Sequence, residues 1–231
     1  MINEKNILAI IPARGGSKGI PRKNIRLLSG KPLIVHTIRS AQKSRYLDKI
    51  IVSTDDEEIA RISGNAGAEV VIRPKKLAKD SAPVYSAIEH ACRSYRPGIV
   101  VILQPTSPLR TSQDIDRAVK IFLKNKRDSV VSVCESERSV YWSFWANGRY
   151  LNPIIGKKYF NLRRQDLPKV YIPNGAIFVF SYKKLLKCRG LYCGNILPYF
   201  MPADRSIDID EENDFLRAEK IFKNEKKQNH Q

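Results

Sequence analysis

Histidine, methionine and tryptophan are scarce in this chain of 231 residues, with three, two and two copies, and cysteine appears only four times. Cys92, Cys134, Cys188 and Cys193 form no zinc-ligand pattern, since four residues separate the last two and neither a second pair nor a nearby histidine completes a site. They are expected to be free, buried thiols in a reducing compartment. The histidines suggest no catalytic pairing, because His36 and His90 fall in helical patterns and His230 stands in the tail. No apolar run approaches the ~20 residues needed to span a bilayer. Residues 1–13 could suggest a secretory leader, but Glu4 occupies the would-be basic region. The apolar stretch there is only Ile7–Ile11, which reads as a buried strand. A cytoplasmic protein without a membrane partner is expected. The sequence also lacks a zinc finger, an RNA-recognition signature, a heptad array and internal repeats.

What is present suits one α/β domain over residues 1–231. Hydrophobic residues make up 42%, enough for a core, and charged residues an ordinary 28%. The net charge of +18, from 41 Lys and Arg against 23 Asp and Glu, fits a nucleic-acid partner or an anionic small substrate on a basic surface. The basic runs at Arg14–Lys31, Arg73–Lys79, Lys157–Lys169 and Lys223–Lys227 are spread along the chain, and most read as solvated surface. No nucleic-acid partner is expected.

Short β-branched runs alternate with helical patterns over the first 134 residues. The predicted strands are Ile7–Ile11, Lys49–Ser53, Glu69–Ile72, Ile99–Leu103 and Ser129–Cys134, with helices over 32–45, 56–66, 83–95 and 112–125. Asp55 and Thr111 or Ser112 are the predicted N-caps, and Gly64 or Gly67 a helix stop. Such alternation predicts a mostly parallel sheet flanked by helices, with ligands at the carboxyl ends of the strands. Residues 138–172 depart from the pattern. They are rich in aromatics, and Asn147-Gly148 predicts a hairpin between Trp142–Ala146 and Arg149–Asn152. Gly175–Phe180 re-enters as a strand, Glu211–Lys223 closes the fold as a helix, and the tail beyond is predicted to fray.

The first strand runs into Pro12-Ala13-Arg14-Gly15-Gly16-Ser17-Lys18-Gly19-Ile20-Pro21-Arg22-Lys23-Asn24. Its glycines let backbone N–H groups close on an anion, and Arg14, Lys18, Arg22 and Lys23 supply cations to match a triphosphate. The spacing fits neither the P-loop nor the dinucleotide-binding fingerprint. Near the other end, Asp208 and Asp210 are two apart, so in an extended segment both carboxylates face one side. That suits Mg²⁺ (or Mn²⁺), while Asp210-Glu211-Glu212 would also favour a helix start, and both roles can hold at once.

The run from Ile11 to Gly19 followed by Lys23-Asn24 resembles the signature of the N-acylneuraminate cytidylyltransferases, the CMP-sialic acid synthetases and their legionaminate and pseudaminate relatives. Ile51-Val52-Ser53-Thr54-Asp55, Arg73-Pro74, Leu103-Gln104-Pro105-Thr106-Ser107-Pro108-Leu109-Arg110, Pro173-Asn174-Gly175-Ala176 and Ser206-Ile207-Asp208-Ile209-Asp210 extend the match over nearly the whole chain. The related Kdo cytidylyltransferases share the opening Arg and Ser but usually lack the Lys-Asn pair. The resemblance implies a Rossmann-like, glycosyltransferase-A-like nucleotidyltransferase fold with a small antiparallel dimerisation insertion at 138–172. It also implies transfer of CMP from CTP to a nine-carbon sugar acid.

By the same resemblance Arg14, Gly16, Ser17, Lys23 and Asn24 would hold CTP, with Lys23 acting on the α-phosphate, and Arg73 and the backbone near Ala82 would meet the cytosine. Gln104, Arg164, Asn174, Phe178 and Tyr192 would meet the sugar acid, with Leu191 beside the last, and Asp208 and Asp210 would hold the metal. Arg163 is an equal-looking neighbour of Arg164. Two departures stand out: Pro83-Val84 replaces small hydroxyl residues frequent in relatives, and Ile172 stands where sialate-specific bacterial members carry arginine. A sugar-1-phosphate nucleotidyltransferase is the competing enzyme reading. A homodimer paired through 138–172 is expected, because Tyr141, Trp142, Phe144, Trp145, Tyr150, Tyr159 and Phe160 exceed what a lone hairpin can hide.

Overall fold

The structure, a computed structural model, describes residues 6–17, 19–125, 129–192 and 194–228. Lys18, Cys193 and His230, named above, lie outside the described residues. The chain begins with β1 (Ile7–Pro12), a short ribbon of β2 (Leu27–Leu28) and β3 (Lys31–Pro32), then α1 (Leu33–Gln42). There follow β4 (Lys49–Thr54), α2 (Glu57–Asn65), β5 (Glu69–Ile72), α3 (Val84–Cys92), β6 (Ile99–Ile102) and α4 (Ser112–Asn125). Next come β7 (Ser129–Glu135), the hairpin β8 (Phe144–Asn147) and β9 (Tyr150–Pro153), and β10 (Tyr171–Ser181). The last elements are α5 (Tyr182–Cys188), β11 (Ile196–Phe200) and α6 (Glu212–Gln228).

The main sheet has the order β11-β7-β10-β6-β1-β4-β5. β1 runs parallel to β4 and β6, β4 to β5, and β7 to β11, while β10 is antiparallel to both of its neighbours. The period of two along the central strands divides the core. Ile7, Ala9 and Ile11 of β1 join Ile34 and Ile38 of α1 and Ile115 and Val119 of α4 on one face. Leu8 and Ile10 join Ile88 of α3 and Leu185 of α5 on the other. With both faces covered, these strands read as continuous apolar runs. A third cluster of Ile20, Leu28, Leu33, Leu109, Ile207, Ile209 and Phe215 ties the first loop and the ribbon to the chain before α6.

Several expectations need correction. The α2 N-cap is Asp56, whose carboxylate accepts from the Ile59 N–H at 2.9 Å, which frees Asp55 for another use. Thr111 caps α4, its hydroxyl accepting from the Asp114 N–H at 3.2 Å. Gly64 lies inside α2, and Gly67, at φ +87°, follows its end. The hairpin pairs Asn147 with Tyr150, so its turn is Gly148-Arg149, one residue later than expected. Gly148, at φ +57°, stands at the first central position, where a two-residue turn needs a residue without a Cβ. Trp142 belongs to a 3₁₀ turn before β8. β10 begins at Tyr171 and contains a register shift between Pro173 and Phe178 that hid it from a period-two reading. The ribbon, α5 and β11 were not foreseen, and α6 continues to Gln228. Cys188 is disulfide-bonded, whereas Cys92 and Cys134 are free and buried. Four free thiols were expected, but whether thiols meet depends on the tertiary path.

Candidate active site

One cleft at the carboxyl end of the main sheet has walls of a particular chemistry. Its volume is about 670 Å³, and it opens where β1, β5 and β6 end. Arg14, Ser17, Lys23 and Asn24 come from the loop after β1, Arg73, Lys79, Asp80 and Ala82 from the segment after β5, and Gln104 from the end of β6. Asp208 and Asp210 close it from the far end of the chain.

The first loop is held from below. The buried amide of Asn24 donates to the Arg14 carbonyl at 2.9 Å, and the Gly15 N–H donates to Asp55 at 3.3 Å. Gly19 packs so close to the Asp210 carbonyl that a Cβ there would collide with it. Arg22, expected among the phosphate-facing cations, instead donates to Glu58 at 2.6 Å and Asp56 at 3.2 Å. It stands in the left-handed region at φ 54°, which turns its side chain to the start of α2.

Three described cations that line the cleft, Arg14, Lys23 and Arg73, meet carboxylates. Lys23, with only 11% of its side chain exposed, donates to Asp210 at 3.0 Å and to the Ile209 carbonyl. Arg14 pairs with Asp80. Arg73 is buried beside Asp55 at 3.5 Å, and its Nε finds no partner. Burial lowers its pKa, Asp55 works against that, and the charge of Arg14 adds to the lowering. An entering polyphosphate would exchange Asp80 and Asp210 for its own oxygens.

Ile207 and Ile209 are buried in the third cluster, which leaves Asp208 and Asp210 to the cleft. The helix-start duty falls to Asp214, whose carboxylate accepts from the Asp210 and Glu211 N–H groups, each at 3.1 Å. Asp208 Oδ1 is buried without a hydrogen-bond partner. Burial holds the Asp208 carboxyl above its ordinary range. The nearby Asp210 and Asp214 act in the same sense, while a Thr106 hydrogen bond and Lys23 oppose them. Gly175, at φ +73°, makes this crowding possible. A Cβ there would stand 2.8 Å from Gln104 Oε1 and 3.0 Å from Asp208 Oδ2. Among the described residues no three His, Cys, Asp or Glu side chains converge as a metal cage. Two carboxylates, one with an orphaned oxygen, nevertheless fit a hard cation that completes its shell with phosphate oxygens.

The expected sugar-acid residues divide. Gln104 and, from the nucleotide set, Ala82 line the cleft. Gly16 is exposed with open space around it and does not line it. Asn174 is buried. Its Oδ1 accepts from Ser132 at 2.6 Å and the Ala176 N–H at 3.2 Å, and its Nδ2 donates to Ser206 at 2.8 Å. Its amide is thus spent inside the protein, supporting Gly175 from beneath. Phe178 is 2% exposed and packs in the core with Phe180. The Tyr192 ring is exposed and meets Phe178 edge-on at 6.1 Å. Arg164 lies outside the cleft and donates to the Glu137 carbonyl at 2.9 Å, while Arg163 pairs with Asp166 at 3.0 Å.

Sequence reading missed the polar supports. Arg110 is buried and donates to the Ala176 carbonyl at 2.8 Å and the Gln104 carbonyl at 3.2 Å. Asp114 is buried and accepts from Tyr199 at 2.7 Å and Arg205 at 2.9 Å. Burial would raise the Asp114 pKa, but Arg205, Thr111 and Tyr199 outweigh it and hold it below the ordinary value. Arg205 thereby fixes the chain three residues before Asp208. The Pro-Leu-Arg run and the helix start gave no signal of these partners, which are distant in sequence.

A family model described as cytidylyltransferase matches residues 8–147, the span from β1 through β8. The chain belongs to the cytidylyltransferase family. It is 38% identical over 216 residues to an N-acylneuraminate cytidylyltransferase of Streptococcus agalactiae serotype V, covering 91% of this chain and 52% of that protein. The chain thus spans about half the length of the first curated relatives it matches. It is 36% identical over 225 residues to a CMP-N,N'-diacetyllegionaminic acid synthase of Legionella pneumophila, covering 94% of this chain and 96% of that one. The fold is similar to that of a solved CMP:2-keto-3-deoxy-manno-octonic acid synthetase complexed with CTP. That match has a TM-score of 0.75 at 16% identity and covers 95% of this cytidylyltransferase chain and 99% of the other.

Proposed function

We propose that this cytidylyltransferase moves CMP from CTP to the anomeric hydroxyl of a nonulosonic, sialic-acid-type sugar acid and releases pyrophosphate. The observation that carries the reading is one cleft lined by the cations Arg14, Lys23 and Arg73 together with Asp208, one of whose carboxylate oxygens has no hydrogen-bond partner. Relatives named for N-acylneuraminate and N,N'-diacetyllegionaminate transfer support the acceptor class.

In this reading Arg14 and Ser17 bind the phosphates, and Arg73, with Ala82 in the same cleft wall, meets the cytosine. Asn24 acts indirectly, through its bond to the Arg14 carbonyl. Lys23 leaves Asp210 for the α-phosphate, where it offsets charge that builds during transfer. The acceptor oxygen bonds to the α-phosphorus as the bond to pyrophosphate breaks, and the hydroxyl proton leaves to solvent. Such in-line transfer needs positioning and charge stabilisation more than covalent help. Asp208 and Asp210 would hold a divalent cation, Mg²⁺ or Mn²⁺, that neutralises phosphate charge and acidifies the attacking hydroxyl. Gln104 is the acceptor-facing amide of this cleft. Trp145 and Tyr150 on the separate β8–β9 hairpin are half exposed or more, at 52% and 63%, which supports a two-fold homodimer paired through 138–172. No described helix is long and apolar enough to cross a membrane.

A pyrophosphate-release panel crosses four nucleoside triphosphates with neuraminate, legionaminate, pseudaminate, Kdo and sugar phosphates. Turnover with CTP and a nonulosonic acid is expected. Preference for a sugar phosphate with another triphosphate would overturn the reading.

A further inference from the structure

Among the described residues three carboxylates line the cleft, and the transfer reading employs two of them, Asp208 and Asp210. The third, Asp80, belongs to the segment after β5 and forms an ion pair with Arg14. A carboxylate in a cleft for a polyphosphate repels the ligand, so Asp80 opposes the binding that Arg14 favours.

Arg14 and Arg73 lie close enough for the charge of Arg14 to lower the Arg73 pKa. Each arginine has its own carboxylate, and the two pairs are built differently. Asp55 meets the buried Arg73 at 3.5 Å from a position only 18% exposed, and it also accepts from the Gly15 N–H at 3.3 Å. That carboxylate is enclosed and supports the loop after β1. Arg14 and Asp80 instead keep 35% and 50% of their side chains exposed. Asp80 stands beyond the 3₁₀ turn Lys75–Leu77, inside a turn that the Ala82 N–H closes on the Lys79 carbonyl at 2.9 Å. A pair so open to water is weak, and a guanidinium fork matches a phosphate as well as it matches a carboxylate.

We propose that Asp80 is a competing counter-ion for Arg14, displaced by the phosphates of CTP on binding and reclaiming the guanidinium as pyrophosphate leaves. The inference rests on the nucleotide reading given above and deepens it by naming a residue that sets how tightly the phosphates are held. The consequence is kinetic. Affinity shared by substrate and product does not raise turnover, and slow product release often limits it. By taking back Arg14, Asp80 weakens CTP and pyrophosphate alike and shortens the stay of the product.

The test is calorimetric titration of CTP, and separately of pyrophosphate, into wild type, Asp80→Asn, Arg14→Ala and the double variant. Asp80→Asn removes the charge and keeps the size, and it should bind both ligands about two- to five-fold more tightly, the scale of an exposed ion pair. In the Arg14→Ala background the same substitution should lose most of that effect, because the competition has no object. In steady-state assays pyrophosphate should inhibit Asp80→Asn at lower concentration than wild type. Inhibition by cytidine, which carries no phosphate, should be the same in both. Asp80 is exposed, so melting temperatures should match and exclude a folding defect. Equal tightening with and without Arg14 would reduce Asp80 to simple repulsion and overturn the exchange. Unchanged or weaker CTP binding in Asp80→Asn, or altered cytidine inhibition, overturns it as well. A wild type that binds no CTP instead overturns the nucleotide reading itself.

Discussion

Asp208→Asn should stabilise the ligand-free protein while removing its activity. Asp208 Oδ1 is buried without a partner, and Asp210 and Asp214 add like charge to a carboxyl that burial already disfavours. An unmade hydrogen bond at a buried group costs roughly 1–3 kcal/mol, so removing the charge should return about 1 kcal/mol. For a domain of this size that is a rise in Tm of about 2–4 °C. The pH dependence follows from the raised pKa. Above the folded pKa the group is ionised in both states and weakens the fold. As pH falls through the folded pKa toward the ordinary 3.8, the native state takes up the proton first and the penalty disappears. The advantage of the variant should therefore be full at neutral pH and shrink on acidification. Calorimetry between pH 7 and pH 4 reads this directly. Added Mg²⁺ with CTP should raise the Tm of wild type far more than that of the variant, and turnover should fall by about 100-fold or more. A variant less stable than wild type at neutral pH, or one with the same metal-dependent shift, would refute the reasoning.

Lys23→Ala should lower kcat more than it raises the KM for CTP, and Arg14→Ala should also weaken CTP binding. A change in KM alone for Lys23→Ala would remove its transition-state role. Gly175→Ala should cost about 1 kcal/mol for the left-handed backbone and more for the contacts with Gln104 and Asp208, lowering both Tm and turnover. Wild-type stability in that variant would show that the segment yields easily. Trp142→Glu combined with Trp145→Glu should turn a dimer into a monomer by light scattering at micromolar concentration, with loss of activity. An unaltered dimer would move the interface elsewhere.

The first half of the fold was legible because local pattern and tertiary fate agree there. Ile7–Ile11 and Ile99–Leu103 are apolar on both faces, and only a covered strand in a parallel sheet buries such a run. The glycine-rich loop after β1 was legible for a similar reason, since glycines beside cations at a strand's carboxyl end have few other uses. β10 was found only in part, because its irregular register around Asn174 and Gly175 breaks the alternation. The ribbon, α5 and β11 are too short for a periodic signal to stand out.

By itself the sequence determined the alternating α/β order, the glycine-rich basic loop after the first strand and the shared side of Asp208 and Asp210, because each depends on neighbours a few residues apart. Tertiary structure alone decided how the charges are spent. Arg22 and Lys23 are adjacent in the chain, yet one turns to Glu58 and the other enters the cleft against Asp210. Asn174 is buried against Ser132 and Ser206, which stand far from it in the chain. The pairing of distant polar groups depends on the path of the chain between them, and no short-range pattern records that path.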